Sequence, residues 1–256
     1  MKLPFLPIFL TGLGLAICLA PQALPAQGLS ATEVVRRADE QMRGNTSEAS
    51  LSIVINRPSW SREMHLKAWT KGERFSMILV TAPAKEKGIA FLKREREVWN
   101  WIPAIERNIK LPPSMMSQSW MGTDFTNDDL VKEASAVSDY EHRHLGRETV
   151  EGRECYRIEM IPKPEAAIVW EKVIVWIDTA DFLQFKTEFY DEDGELVNIM
   201  YGSEVKVLGG RKITSRIEMV PAEKEGHSTL IRYEDIRFNQ EIPDEFFTPR
   251  NMTRLQ

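Results

Sequence analysis

The chain has 256 residues, of which 43% are hydrophobic and 28% charged, a balance that is typical of a folded globular protein and excludes a disordered one. Its 33 Lys and Arg against 38 Asp and Glu give a net charge of −5, and because there is no basic cluster, we expect no nucleic-acid partner. Two cysteines cannot build a disulfide framework.

Residues 1–26 have the features of a secretory signal peptide, because an uncharged apolar stretch and a small-residue exit follow Lys2. Two alternatives stay open. An uncleaved anchor is disfavoured by the short apolar run and its prolines. A lipoprotein signal at Cys18 is disfavoured by Ile17, which stands where a small residue is expected. We therefore expect cleavage near residues 23–27, a periplasmic protein without stable membrane insertion, and a single mature domain over residues 27–256.

A helix opens the predicted mature chain. Ser30 and Glu33 have the spacing of a capping box, and apolar residues follow at helical spacing until Gly44.

After Gly44 the hydrophobic period changes to two. About eleven strand-like runs follow, at residues 51–55, 64–69, 75–80, 88–92, 97–102, 153–160, 169–178, 183–191, 196–207, 212–220 and 229–238. Turn residues separate most of them, and no long helix alternates with them. This pattern predicts a mainly β fold with a few helices, in which the strands pair antiparallel in a large curved sheet or barrel.

Residues 105–145 do not fit the strand pattern and are predicted to be a non-strand insertion, of the kind that forms lids or binding segments. Within this insertion Met115, Met116, Trp120 and Met121 either line an apolar site or fill the core, and the sequence leaves both open. We expect residues 111–130 to form a mobile lid over a cavity mouth.

Three acidic residues in this insertion, Asp124, Asp128 and Asp129, could bind a metal ion, but a fourth ligand at suitable spacing is missing. Thr126 followed by acidic residues and Leu130 is the pattern of a helix N-cap with acids in the first turn, and this interpretation is preferred.

His142 and His144 would share one face of a strand, as in some zinc sites. The neighbouring Arg143 and Arg147 favour a solvated linker instead. Cys155 lies in an alternating run and is predicted to pack in the sheet. We expect no metal and no cofactor, and the absence of hydrolase, metalloprotease and phosphate-loop motifs predicts a protein that is not an enzyme.

The tryptophans indicate an apolar cavity. Trp99 and Trp101 lie two residues apart in a predicted strand and therefore share one of its faces, and Trp170 and Trp176 are predicted to share one face of another strand. A curved sheet lined by such residues forms a concave site for lipid-like ligands. The residues that we expect to line the cavity and its lid are Met64, Leu66, Phe75, Met77, Trp99, Trp101, Met115, Met116, Trp120, Met121 and Phe125.

Residues 121–130, with the sequence MGTDFTNDDL, resemble the periplasmic outer-membrane lipoprotein-sorting family, the LolA-like carriers, in a divergent branch of that superfamily. The early helix, residues 99–103 with the basic residues 107–110 after them, and the turn at residues 190–194 add to the likeness. The resemblance implies an unclosed antiparallel β-barrel of the LolA/LolB type, with a helical lid over an apolar cavity that receives acyl chains.

The sequence therefore predicts a periplasmic carrier that binds the acyl chains of a lipoprotein or lipid and moves this cargo towards the outer membrane, with an inner-membrane transporter as partner. Two alternatives remain. One is a lipid-sensing accessory or interaction protein of an inner-membrane exporter or signalling system, and the other is a hydrolase that uses carboxylates in the cavity.

Overall fold

The computed structural model describes residues 28–132, 136–166 and 168–255, and the predicted signal peptide and its cleavage site lie outside this part of the chain. The helices and strands are α1 (Ala31–Arg43), β1 (Thr46–Arg57), β2 (Trp60–Lys71), β3 (Phe75–Ala82), β4 (Ala90–Arg94), β5 (Glu97–Ile102), β6 (Arg107–Lys110), β7 (Tyr140–Val150), β8 (Arg153–Pro162), β9 (Lys172–Asp178), β10 (Gln184–Tyr190), β11 (Leu196–Leu208), β12 (Arg211–Pro221), β13 (Ser228–Phe238) and α2 (Pro249–Met252). None of the described helices is long and apolar enough to cross a bilayer.

The strands form one sheet of thirteen, in the order β6-β5-β4-β3-β2-β1-β13-β12-β11-β10-β9-β8-β7. Every pair is antiparallel, and all neighbours are consecutive in the chain except β1 and β13, which meet in the middle of the sheet. Because β6 and β7 occupy opposite edges, the sheet curves without closing. The predicted fold, mainly β with a few helices in an unclosed antiparallel barrel, is confirmed.

Helix α1 lies on one face of this sheet, which we call the inner face. Ser30 Oγ accepts a hydrogen bond from the backbone N–H of Glu33 at 3.1 Å, and Gly44, at φ +63°, ends the helix. Val34 and Val35 are buried against the inner face, in one cluster with apolar residues of β1, β2, β9 and β12. The predicted helix and its boundaries are confirmed.

The outer face of the sheet carries two smaller apolar clusters. The first lies on β3, β4 and β5 and is covered by the C-terminal residues Ile242, Phe247 and Met252. The second surrounds Cys155, which is fully buried. Burial raises the pKa of this thiol to about 11, as expected for a cysteine that packs rather than reacts.

The two edge strands were not predicted. The sequence predicts a non-strand insertion over residues 105–145, which contain β6 and the first six residues of β7, and a solvated linker at the two histidines. Both predictions are wrong. All four residues of β6 are exposed, and Tyr140 is the one buried residue of β7. An edge strand pairs on one side and keeps charged residues that prevent further pairing, so it lacks the apolar alternation of an interior strand.

The expected shared face of Trp170 and Trp176 was also wrong. Strand β9 begins at Lys172, so its alternation does not extend back to Trp170. Trp170 packs on Phe189 at the inner face, with 5.2 Å between ring centroids, whereas Trp176 lies in the outer cluster around Cys155. Trp99 and Trp101 do share a face, as predicted.

Candidate functional site

A cavity of about 340 Å³ lies between α1 and the inner face of β9 to β13. It is here called the large cavity because it is the larger of two beneath α1. Its walls are mainly apolar. Representative lining residues are Val35, Ala38 and Met42 of α1 and Val175, Met200, Ile213, Ile217 and Met219 of the sheet.

A second cavity of about 150 Å³, the small cavity, adjoins the first. Strands β1, β2 and β3 supply most of its wall, and Trp120 and Leu130 supply part of the rest. Both cavities are bordered by Asp39, Met42, Arg43 and Tyr233, so they form adjoining compartments beneath the C-terminal half of α1. Asp39 and Arg43 form a largely buried ion pair at 3.1 Å along this border.

Two carboxylates reach the large cavity from a π-helical turn, Asp128–Lys132. Thr126 caps this turn, because its Oγ1 accepts from the N–H of Asp129 at 3.1 Å. In return, Asp129 Oδ2 accepts from the N–H of Thr126 at 2.8 Å. Oδ1 accepts from Trp170 Nε1 at 2.8 Å. Removal from bulk water raises the pKa of Asp129. The predicted N-cap is therefore confirmed, although the turn is π-helical and its acids line a cavity.

The chain before this turn is fixed to the sheet by polar contacts. Asp124 and Arg57 form an ion pair at 3.0 Å, with side chains only 6% and 12% exposed. Arg57 also donates to the carbonyl oxygen of Gly122 at 2.8 Å, and Thr229 Oγ1 donates to Asp124 at 2.7 Å. Asp124 therefore serves as an anchor. Within the described residues, no group of three His, Cys, Asp or Glu side chains is arranged to hold a metal ion.

The structure separates the predicted site residues into two sets. Met64, Leu66, Met116, Trp120 and Phe125 belong to the inner cluster, and Met115 and Met121 pack against it. Among these, Leu66 and Trp120 line the small cavity and Phe125 lines the large one.

The other four predicted residues, Phe75, Met77, Trp99 and Trp101, lie in the outer cluster beneath the C-terminal segment, and the structure brings none of them to either cavity. Strand β3 is buried on both faces, so its burial pattern does not show which face is the inner one.

Sequence analysis missed most of the large cavity. Its apolar lining residues on α1, Val35, Ala38 and Met42, stand at the helical spacing that predicts the helix, but this spacing does not show that they line a cavity. On β12, Ile213, Ile217 and Met219 keep to one face, and this alternation is the signal that could have indicated them.

The two histidines of β7 hold the start of α1. His142 Nδ1 lies 3.2 Å from Thr32 Oγ1 and its Nε2 lies 2.7 Å from the carbonyl oxygen of Ala136. His144 Nε2 lies 2.9 Å from the carbonyl oxygen of Leu29. Burial lowers the pKa of His142. These contacts attach the helix that covers the cavity to the edge of the sheet.

The fold of this chain is similar to that of solved structures, of which three superpose over most of their lengths. A LolA superfamily protein from Nitrosomonas europaea superposes with a TM-score of 0.75 at 25% identity, over 86% of this chain and 98% of that one. A domain from Vibrio parahaemolyticus, whose name assigns it to outer membrane lipoprotein sorting, superposes with a TM-score of 0.77 at 22% identity, over 88% of this chain and 98% of that one. A DUF1329 family protein from Desulfovibrio piger superposes with a TM-score of 0.78 at 21% identity, over 85% of this chain and 95% of that one.

The fold is thus that of the LolA superfamily, as the sequence resemblance implied. A family model described as that of an uncharacterized protein matches residues 72–254, and the chain belongs to this family. Among proteins of curated function, none matches the chain significantly.

Proposed function

We propose that this protein is a periplasmic carrier that binds the acyl chains of a lipoprotein or lipid and moves them towards the outer membrane, without catalysing a reaction. The observation that carries the proposal is the pair of adjoining apolar cavities beneath α1, with volumes of about 340 and 150 Å³. Known small-molecule sites are concave, mainly apolar and a few hundred Å³ in size.

The affinity of such a site comes from desolvation. Each methylene group that leaves water contributes about 0.8 kcal/mol, so a chain of ten carbons supplies binding energy without any charged contact. The sequence features of a signal peptide support export to the periplasm, where such a carrier would work. The name of the Vibrio parahaemolyticus domain supports lipoprotein sorting as the process. An inner-membrane transporter as the donor of the cargo is part of this proposal.

Filling the large cavity tests the proposal. Ala38 on α1 lines it, so Ala38→Trp is expected to place an indole in the space that an acyl chain would use and to weaken uptake of a fluorescent fatty acid at least tenfold. Glu40→Trp is the matched control, because Glu40 is exposed on the same helix. Native mass spectrometry of the gently purified protein should detect bound lipid. A wild-type protein that is free of lipid and takes up no probe would contradict the proposal.

A further inference from the structure

Trp120 is the fully buried tryptophan of the inner cluster, with 0% of its surface exposed. Its ring packs on Phe91 at 5.3 Å between centroids and forms part of the wall of the small cavity. Its backbone N–H donates to the carbonyl oxygen of Phe125 at 2.9 Å, and its carbonyl oxygen accepts from the N–H of Thr123 at 3.0 Å. The backbone of Trp120 is thus fixed on both sides, and Phe91 packs against its ring.

The indole N–H of Trp120 has no hydrogen-bond partner among the described residues. The other two buried tryptophans differ in this respect. Trp170 Nε1 donates to Asp129 at 2.8 Å, and Trp176 Nε1 donates to Glu148 at 2.9 Å. A buried donor without an acceptor is unfavourable, so an unsatisfied donor in the wall of a cavity indicates a place where a ligand supplies the acceptor.

The chemistry of the small cavity defines this ligand. An indole N–H can only donate, so the complementary atom is an acceptor. The rest of the wall is mainly apolar, with the hydroxyls of Ser47 and Thr70 bonded to each other at 2.7 Å. The cation of Arg43 is already paired with Asp39. A neutral acceptor on an apolar chain fits these walls, because it buries no unpaired charge.

We propose that the small cavity holds the carbonyl end of an acyl chain, with Trp120 Nε1–H donating to the carbonyl oxygen, while the chain extends past Met42 and Tyr233 into the large cavity. This inference rests on the proposed function and adds that the protein distinguishes an acyl group from a plain hydrocarbon.

Matched probes test it. Methyl decanoate, N-methyl decanamide and dodecane are titrated against wild-type protein by displacement of a bound fluorescent fatty acid. The two carbonyl compounds represent ester-linked and amide-linked chains, and dodecane has a similar length without an acceptor. Since one hydrogen bond is involved, we expect Trp120→Phe to weaken the binding of each carbonyl probe about 5-fold. The affinity for dodecane should stay within about twofold of the wild-type value. The infrared carbonyl band of the bound probe should lie at lower frequency in wild type than in the variant.

Two further variants separate recognition from packing. Phe91→Leu changes the surroundings of the Trp120 indole and keeps its N–H, so it should change the affinities for all three probes by the same factor. If Trp120→Phe does not fold, benzothienylalanine at position 120 preserves the ring shape and lacks the N–H.

The outcomes separate the two proposals. A wild-type protein that binds no probe overturns the proposed function. A protein that binds the probes but shows the same carbonyl preference with and without the N–H, or no preference at all, overturns the assignment of the small cavity and leaves the carrier in place. A carbonyl preference that disappears with the N–H supports both.

Discussion

Asp129 connects three parts of the molecule through one carboxylate. One oxygen accepts from the backbone N–H of Thr126, which caps the π-helical turn, and the other accepts from the indole of Trp170. The same side chain lines the large cavity. The raised pKa of Asp129 reflects removal from bulk water. The carboxylate remains useful to the fold because both oxygens receive hydrogen bonds, which is how proteins accommodate polar groups away from solvent.

Replacing this carboxylate should destabilise the protein. Asp129→Ala leaves the Trp170 indole and the Thr126 N–H without their acceptor, and an unsatisfied buried donor costs about 1–3 kcal/mol, so we expect the free energy of unfolding to fall by about 2 kcal/mol. Urea denaturation measures this change. Glu192→Ala, at an exposed turn position, is the control and should change the unfolding free energy little. Equal stability of the two variants would contradict this role.

At the scale of elements, two segments that border the cavities, α1 and residues 119–126, are attached to the sheet in different ways. Helix α1 is held at its start by the histidines of β7, whereas residues 119–126 are fixed by the buried Arg57–Asp124 pair and by contacts of Arg57 and Arg62 with backbone carbonyl oxygens. Trp120 and Met116 are buried in the inner cluster, so both side chains contribute to packing. For Trp120 this role is compatible with the proposed hydrogen bond from its indole N–H to a ligand. The mobile lid over residues 111–130 stays a prediction.

The attachment of α1 should depend on pH. Burial keeps the pKa of His142 below its ordinary value, so the unfolded chain binds a proton at a higher pH than the folded protein. The unfolding free energy should therefore be unaffected by this group above the unfolded pKa of about 6.5 and should decrease as the pH falls below it. His142→Gln removes the titrating group, so its unfolding free energy should fall less than that of wild type between neutral pH and mildly acidic pH, measured by denaturation across that range. An unchanged pH dependence would show that His142 does not contribute.

At the scale of the whole molecule, the sequence predicted the interior of the sheet and missed its boundaries. The interior strands alternate because they pair on both sides and carry apolar residues towards a covered face, whereas β6 and β7 lack this pattern. The alternation of apolar residues also does not distinguish the inner face of the sheet from the outer face. For this reason the sequence predicts Phe75 and Met77 at the cavity, although they lie on the outer face. The large cavity is lined by side chains of β9 to β13 together with those of α1. Which of these side chains meet depends on the strand register, including the irregularity between Gln184 and Lys186. The alternation of apolar residues does not reveal the register.

The exposed cations of β6 should keep the free edge from pairing with a second molecule. Arg107→Val removes a charge from this edge and raises its β-propensity, so we expect more concentration-dependent self-association by analytical ultracentrifugation. Lys67→Val makes a similar exchange at an exposed position of β2, which already pairs on both sides, and should remain at the wild-type level of association. If both variants associate equally, added surface hydrophobicity explains the effect and the edge does not.

The pairing of β1 with β13 sets the order in which this chain can fold. The first and last strands, β1 and β13, pair over nearly their whole lengths in the middle of the sheet. The two halves of the sheet therefore cannot join until the chain is available up to residue 238. Contacts between such distant parts of a chain slow folding, and half-formed sheets expose unpaired strand edges. A chain that emerges N-terminus first into another compartment would thus complete its sheet only after nearly all of it had arrived, and until then β1 would be free to pair with the wrong strand.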